Sequence, residues 1–307
     1  LDLVDALRSP SAYPIPVDYI GYLETHISRL FFAGRRVYKL KKPLRLPFLD
    51  YSTLEQRHDC CHEDVRLGRR LAPSVYRGVV PIIRTDQGHL RVGTGVGDIV
   101  DWAVEMTRLP DDGMLDQLLE RGEVDNALID QLVDLLARFH ASAPTGEGVD
   151  GHGSVEAITA NVLDNLSELE PFVTNGTGLD ALSPTLHTFL REHMESELVR
   201  HGDLLRRRVV EGRIRDGHGD LHAGNICRLP GGPGGPSGPS DQGELVVYDP
   251  IEFSRRLRCA DVACDLAFLT MDLDLSGYRG FSRYLVRRYA EASSDPDLKT
   301  LIPFYSA

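Results

Sequence analysis

The 307-residue sequence lacks most of the features that would take it out of the ordinary globular class. It has five cysteines, Cys60, Cys61, Cys227, Cys259 and Cys264, an odd number with no C-x-x-C pair and no secretory segment before them. Reduced thiols and a cytoplasmic location are therefore expected. No apolar run approaches the ~18 residues that a membrane helix needs, so no membrane partner is expected. Cations are in short supply: 34 Lys and Arg face 46 Asp and Glu, a net charge of −12. Nucleic-acid backbones reward clustered cations, so no nucleic-acid partner is expected either. The pattern G-x-x-x-x-G-K-[ST] is missing, which excludes a P-loop from this stretch. The glycines do not replace it. Residues 230–243 interleave glycine with prolines that have no N–H to offer an anion, and they are expected to form a loop joining two short strands. Gly93-Thr94-Gly95-Val96-Gly97 neither opens a helix nor carries a lysine and is expected to be a hairpin turn. The sequence opens on Leu1 and closes on Tyr305-Ser306-Ala307 without a helix-stop signal, so both ends are expected to be cut ends.

With 42% hydrophobic and 26% charged residues, the chain can build two lobes with a substantial core. Strands are expected at 26–33 and 37–41, joined by a turn at Gly34-Arg35, and again at 79–83, 90–92 and 99–106, with Pro81 making the first of these three an edge strand. A helix is expected over 54–71, ended by Pro73. Pro110-Asp111-Asp112-Gly113 marks a break, after which helices are expected at 127–141, 155–169 and 183–212, the last two separated by a Gly/Thr/Asn-rich stretch at 173–178. The expected fold class is α+β, with a small β-rich lobe over 1–109 and a larger, mainly helical lobe over 110–307.

The chemistry concentrates in His218-Gly219-Asp220-Leu221-His222-Ala223-Gly224-Asn225 and in Val246-Val247-Tyr248-Asp249. Phosphoryl transfer needs a group to position and deprotonate a hydroxyl, and oxygen ligands for the Mg²⁺ that neutralises a triphosphate. Protein kinases write the loop H-R-D-x-x-x-x-N, and Asp220 to Asn225 has that spacing. An aspartate beside glycine is by itself a turn residue, but His218, Asn225 and Asp249 together select the catalytic reading. Asp220 is the candidate base; Asn225 and Asp249 are the candidate Mg²⁺ ligands, hard oxygen donors that suffice beside phosphates and water. Glu252 is the rival carboxylate. His222 stands where protein kinases place a lysine near the transferred phosphate, and His218 is expected to lock the loop.

Lys39, in Arg36-Val37-Tyr38-Lys39-Leu40-Lys41-Lys42, is the candidate for gripping the α and β phosphates of ATP, with Lys41 on the same strand face as the alternative. Glu63 is the expected helix partner of that lysine, with Glu55 second. Val104 to Leu109 reads as an inter-lobe hinge where Met106 packs on adenine, although core packing explains Met106 equally well. Asp261 and Asp265 lie one turn apart on an expected helix over 260–272, where one of them braces the catalytic loop through its backbone N–H groups. His152, Glu156, Asn161 and Asn165 are candidate acceptor contacts, and Arg255, Arg256 and Arg258 would favour an anionic acceptor, although each is equally readable as a solvated surface residue.

These residues together resemble the aminoglycoside phosphotransferase-like family of the kinase-like fold, whose loop reads H-G-D-x-H-x-x-N. The chain looks most like the branch often fused to a C-terminal P-loop ATPase domain, which is not in this stretch. Further matching segments are Thr25-His26-Ile27-Ser28, Val37 to Pro43, Phe48-Leu49-Asp50, Glu63 to Leu67, Ile214 to His222, and Ile251-Glu252-Phe253 through Leu269. The resemblance implies a bilobal fold, ATP and Mg²⁺ as cofactors, a small-molecule hydroxyl acceptor such as a sugar or aminoglycoside-like compound, Asp220 as base, Asn225 and Asp249 on the metal and Lys39 on the nucleotide. Two other readings stand beside it. A protein Ser/Thr kinase is opposed by Gly219 in place of the loop arginine and by the lack of an A-P-E segment. A non-catalytic nucleotide-binding module is kept open because no G-x-G-x-x-G precedes Val37, so that Glu24 to Ser28 would have to cover the phosphates.

Overall fold

In the computed structural model the described residues are 2–174, 182–231 and 243–307. The loop expected at 230–243 is therefore seen only at its flanks, and most of the stretch at 173–178 lies outside the described residues. In chain order the elements begin α1 (Leu3–Leu7), β1 (Ile20–Glu24), β2 (Ser28–Ala33), β3 (Arg36–Lys41), the small hairpin β4 (Arg45–Leu46) and β5 (Leu49–Asp50), α2 (Leu54–Gly68), β6 (Tyr76–Arg84), β7 (Leu90–Val92) and β8 (Asp98–Thr107). Then come α3 (Leu115–Glu120), α4 (Asn126–Ser142), α5 (Val155–Leu169), α6 (Pro184–Val210), β9 (Ile214–Asp216), β10 (Ile226–Arg228) and β11 (Leu245–Val247). The chain closes with α7 (Arg255–Arg258), β12 (Cys259–Asp261), α8 (Val262–Leu275), α9 (Arg279–Ser293) and α10 (Leu298–Tyr305). Two compact units result, one from 1–135 with 220–255 and one from 136–219 with 256–307. The division into lobes expected at 1–109 and 110–307 is taken up below as a proposal. No helix among the described residues is long and apolar enough to cross a membrane.

The first unit is built on a six-stranded sheet in the order β1-β2-β3-β8-β6-β7, with antiparallel neighbours throughout. Alternation along a strand sends successive side chains to opposite faces. Tyr38 and Leu40 of β3 join Tyr13, Ile20, Phe31 and Ile82 in one apolar cluster. Val37 joins Cys61 and Val65 of α2, Tyr76, Val104 and Met106 in the other. β3 is thus covered on both faces, which is why two lysines on it can be buried. β1 goes beyond the expected strands; Gly21 near its start weakens the sequence pattern.

Two expectations are corrected in this sheet. Pro81 does not lie on an edge strand: β6 runs between β8 and β7. It is tolerated because β7 pairs only with Ile82, Ile83 and Arg84, and at Pro81 the contact on that side is its carbonyl accepting the Gly93 N–H at 2.9 Å. Nor is Gly93 to Gly97 a hairpin turn. β7 and β8 both pair with β6, so this segment crosses the end of β6. It passes so close that a Cβ on Gly97, at φ 144°, would stand 2.2 Å from the Arg84 carbonyl oxygen.

α2 begins with a capping box, the Thr53 hydroxyl accepting the Gln56 N–H at 3.2 Å and the Gln56 side chain accepting the Thr53 N–H at 3.0 Å. Its buried stripe is Arg57, Cys61, Asp64 and Gly68, at helical spacing. Arg57 is buried because its guanidinium pairs with Asp101 at 2.8 Å. In the second unit α5 and α6 start on serine caps, Ser154 and Ser183. Fully buried Arg208 of α6 joins Asp261 and Asp295, both at 2.6 Å, and Arg258 pairs with Asp216 at 2.6 Å.

Gly97→Ala is expected to cost about 1–3 kcal/mol from strain and the clash at Arg84. Gly78→Ala, in open space, is expected to be near neutral. Urea unfolding of the two variants checks this; equal stabilities contradict the crossing geometry.

Candidate functional site

The loop expected to be catalytic runs from His218 to Asn225. Asp220 follows β9 and a turn in which Gly219 adopts φ 84°. A short turn at Ala223–Asn225 follows, with the Asn225 N–H on the His222 carbonyl at 3.0 Å. The side-chain NH₂ of Asn225 donates to the Asp220 carbonyl at 3.0 Å and lies 3.4 Å from its carboxylate, which leaves Oδ1 as the atom that could face a cation. β10 and β11 pair antiparallel, Ile226 opposite Val247, and the Tyr248 N–H donates to the Asn225 carbonyl at 2.9 Å. One end of this strand pair therefore carries Asn225 just before one strand and Asp249 two residues past the other.

Asp249 meets the lysines. Its carboxylate pairs with Lys39 Nζ, which also lies 3.0 Å from Asp64 Oδ2. The same Asp64 oxygen lies 2.7 Å from Lys41 Nζ, and Lys41 pairs further with Glu252, which accepts the Tyr51 hydroxyl. Burial alone would depress both lysines. For Lys39, Asp249 and then Asp64 and Glu252 outweigh it; for Lys41, Asp64 and Glu252 do, so both ammonium groups are held above the ordinary lysine value. Burial would raise the Asp64 carboxyl, but Lys39 and Lys41 together hold it below its ordinary value.

The expected partner Glu63 is corrected to Asp64. Glu63 pairs instead with Arg66, one turn along α2, at 2.6 Å. The signal was available: Cys61, Val65 and Gly68 mark the apolar face, and Asp64, not Glu63, falls on it. Lys39 and Lys41 were weighed as alternatives, and the structure engages both. Glu252 sits with Lys41 rather than facing outward beside Asp249. Met106 is packed in the core between β3 and β6, opposite Val37 and Tyr76. The N–H groups of Thr107 and Arg108 are taken by Val75 and Arg35, so up to Arg108 the expected hinge is committed to the sheet. His222 is part-exposed, its Nδ1 accepting the Gly224 N–H at 3.2 Å and its Nε2 3.8 Å from the Asp220 carboxylate.

In the second unit, Asp265 rather than Asp261 braces the loop start, accepting the N–H groups of His218 and Gly219, both at 2.8 Å. His140 backs it at 3.2 Å and is itself 2.7 Å from the Tyr289 hydroxyl; sequence reasoning did not single out either. Burial raises the Asp265 carboxyl, and His140 and the His218 contacts overcome this to lower it. Asp261 caps α8 and holds Arg208. Of the residues suggested for an acceptor, Asn161 binds Arg256 at 2.6 Å, Arg256 pairs with Asp164, and Arg258 is buried, so these two arginines are committed within the unit.

No protein-family model matches the chain. Uncharacterized proteins of Mycobacterium tuberculosis and Mycobacterium bovis are 31% identical over 298 residues, which cover 96% of this chain and 54% of theirs. The chain thus spans about half the length of the curated relatives it matches. A choline/ethanolamine kinase family protein from Mesorhizobium loti matches over 98% of this chain and 80% of its own, with TM-score 0.52 and 14% identity. A choline kinase from Cryptosporidium parvum matches over 99% and 85%, with TM-score 0.51 and 8% identity. The chain has the kinase-like fold, α+β with a sheet-based N-terminal part and a helical C-terminal part.

Asp64→Asn is expected to destabilise the fold by about 3–5 kcal/mol, because it leaves two buried ammonium groups without the carboxylate they share. A depressed carboxyl contributes stability that is present above the unfolded value of ~4 and is lost as pH falls through the folded value. Urea unfolding from neutral to acid pH is therefore expected to show a shallower acid loss in Asp64→Asn than in the wild type. An identical acid slope would contradict the shared-carboxylate account.

Proposed function

We propose that the chain is an ATP-dependent phosphotransferase of the aminoglycoside phosphotransferase-like family, moving the γ-phosphoryl group to a hydroxyl of a small molecule. The observation that carries the reading is one chain of contacts within the first unit: Asp220 to Asn225, the Asn225 carbonyl to the N–H of Tyr248 just before Asp249, Asp249 to Lys39, and Lys39 to Asp64. Asp220, half-exposed beside the loop amide, is the group to orient the acceptor hydroxyl and take its proton as the bond to phosphorus forms. Lys39, kept cationic by its carboxylates, turns from Asp249 to the α and β phosphates while Asp64 keeps hold of it. His222 adds electrostatic support near the transferred group.

The donor set fits Mg²⁺. Asn225 and Asp249 would hold it through one amide oxygen and one carboxylate, and no group of three or more His, Cys, Asp and Glu able to hold a metal alone occurs among the described residues. Phosphate oxygens and water would complete the shell. When bound, the ion neutralises the triphosphate charge that develops in transfer.

In this proposal residues 1–109 hold the nucleotide and 110–307 supply the loop and the acceptor contacts, in a cytoplasmic protein. The relatives' additional length leaves room for the companion P-loop ATPase domain that the resemblance suggests.

Because Lys39 already pairs with Asp249, Mg²⁺ alone is expected to give no thermal upshift, while Mg²⁺ with ATP gives one. Asp220→Ala is expected to keep that upshift and to lose about 10²-fold or more of turnover across a panel of hydroxyl compounds followed by mass spectrometry. Turnover left intact in Asp220→Ala would remove the base assignment. ATP binding with no product across the panel would favour the non-catalytic module.

A further inference from the structure

Asp249 leaves β11 in an unusual backbone conformation. Its φ is 61°, one of only two positive values at non-glycine residues among the described residues. L-residues enter this left-handed region at a cost, aspartate less than most, and hold it only where the surroundings fix it. Its side chain is 45% exposed, so packing around the carboxylate does not fix it.

What fixes it lies behind the backbone. The N–H of Asp249 donates to the hydroxyl of Tyr76 at 2.9 Å. Tyr76 is a buried residue of β6, and its ring lies against Gly68 at the end of α2. A Cβ on Gly68 would stand 2.2 Å from ring carbons, so only glycine lets the helix come this close. Gly68 is one turn from Asp64 on the buried stripe of α2, so one helix face sets both the carboxylate that grips Lys39 and the ring that anchors Asp249. Three residues on, Glu252 is held by Lys41 and by the Tyr51 hydroxyl. Between the anchors stands Pro250, whose ring restricts φ. The segment from Asp249 to Glu252 is therefore pinned at both ends by tyrosine hydroxyls that belong to no expected catalytic motif.

We infer that Tyr76 is a positioning residue for the carboxylate of Asp249, presenting it to the Mg²⁺ of a bound nucleotide, an inference that rests on the function proposed above. Tyr76 touches neither metal nor phosphate; it acts by receiving the backbone N–H of Asp249. Without the hydroxyl, the N–H loses its acceptor and the left-handed turn loses its anchor.

The test titrates ATP calorimetrically into wild type and Tyr76→Phe over a series of Mg²⁺ concentrations, and again in EDTA. Tyr76→Phe is expected to raise the Mg²⁺ concentration for half-maximal ATP binding about fivefold, the worth of one net hydrogen bond, and to leave metal-free binding within about twofold. A general loosening of the fold would weaken both alike, and that result would overturn the inference, as would an unchanged Mg²⁺ midpoint. Should Tyr76→Phe not fold, Tyr51→Phe removes one of the two groups that hold Glu252 at the other end of the same segment, with Lys41 left in place, and a rise in the Mg²⁺ midpoint is again expected; an unchanged midpoint would overturn the inference. A wild type whose ATP binding ignores Mg²⁺ would overturn the proposed function, and this inference with it, whereas a Mg²⁺-dependent wild type with an unshifted variant would overturn this inference alone.

Discussion

One buried carboxylate oxygen organises the first unit: Asp64 Oδ2, shared by the ammonium groups of Lys39 and Lys41. An ion taken out of water costs several kcal/mol unless its partners are in place. Here two cations on one strand and three carboxylates on other segments, Asp64, Asp249 and Glu252, make each other tolerable. Such a cluster adds little net stability over an apolar core of the same shape, but it is unforgiving of misplacement. It ties β3 to α2 and to the segment after β11. The elements that would carry phosphate-binding cations and a metal-binding carboxylate are thereby set by one network.

The hairpin of β10 and β11 serves the other half of the arrangement. A two-strand pair of three residues each is too short to be a folding unit by itself. Its value is positional: it fixes the spacing between Asn225 and Asp249, and the Asn225 side chain extends that order to Asp220. On the far side of Gly219, Asp265 and His140 fix the start of the loop through backbone N–H groups. Gly219 itself takes a φ of 84°, a conformation that glycine adopts without steric cost.

Much of this was legible in the sequence because chemistry and local pattern agree there. The spacing from Asp220 to Asn225, the apolar run ending at Asp249 and the period-two placement of Lys39 and Lys41 are local signals; in the structure Asn225 contacts Asp220, Asp249 pairs with Lys39, and both lysines share Asp64. The helices at 54–68, 126–142, 155–169 and 184–210 follow from spacing and caps. What failed depended on distant packing. Choosing Glu63 over Asp64 ignored that a charged residue can lie on the buried stripe when cations wait across from it. The edge assignment for Pro81 and the hairpin assignment for Gly93 to Gly97 both depend on which strand inserts between which, and strand order is not a local property. Tyr76 and Tyr51 carry no motif at all; only the fold brings their hydroxyls to the segment from Asp249 to Glu252.

The central claim is that Lys39 holds the place that a nucleotide-bound cation takes on Asp249. A crystal structure with ADP and Mg²⁺ tests it most directly. The account predicts the ion on Asp249 and Asn225, with Lys39 turned from Asp249 to the phosphates and still bonded to Asp64. A nucleotide seated elsewhere, with the Lys39–Asp249 pair intact, would contradict it.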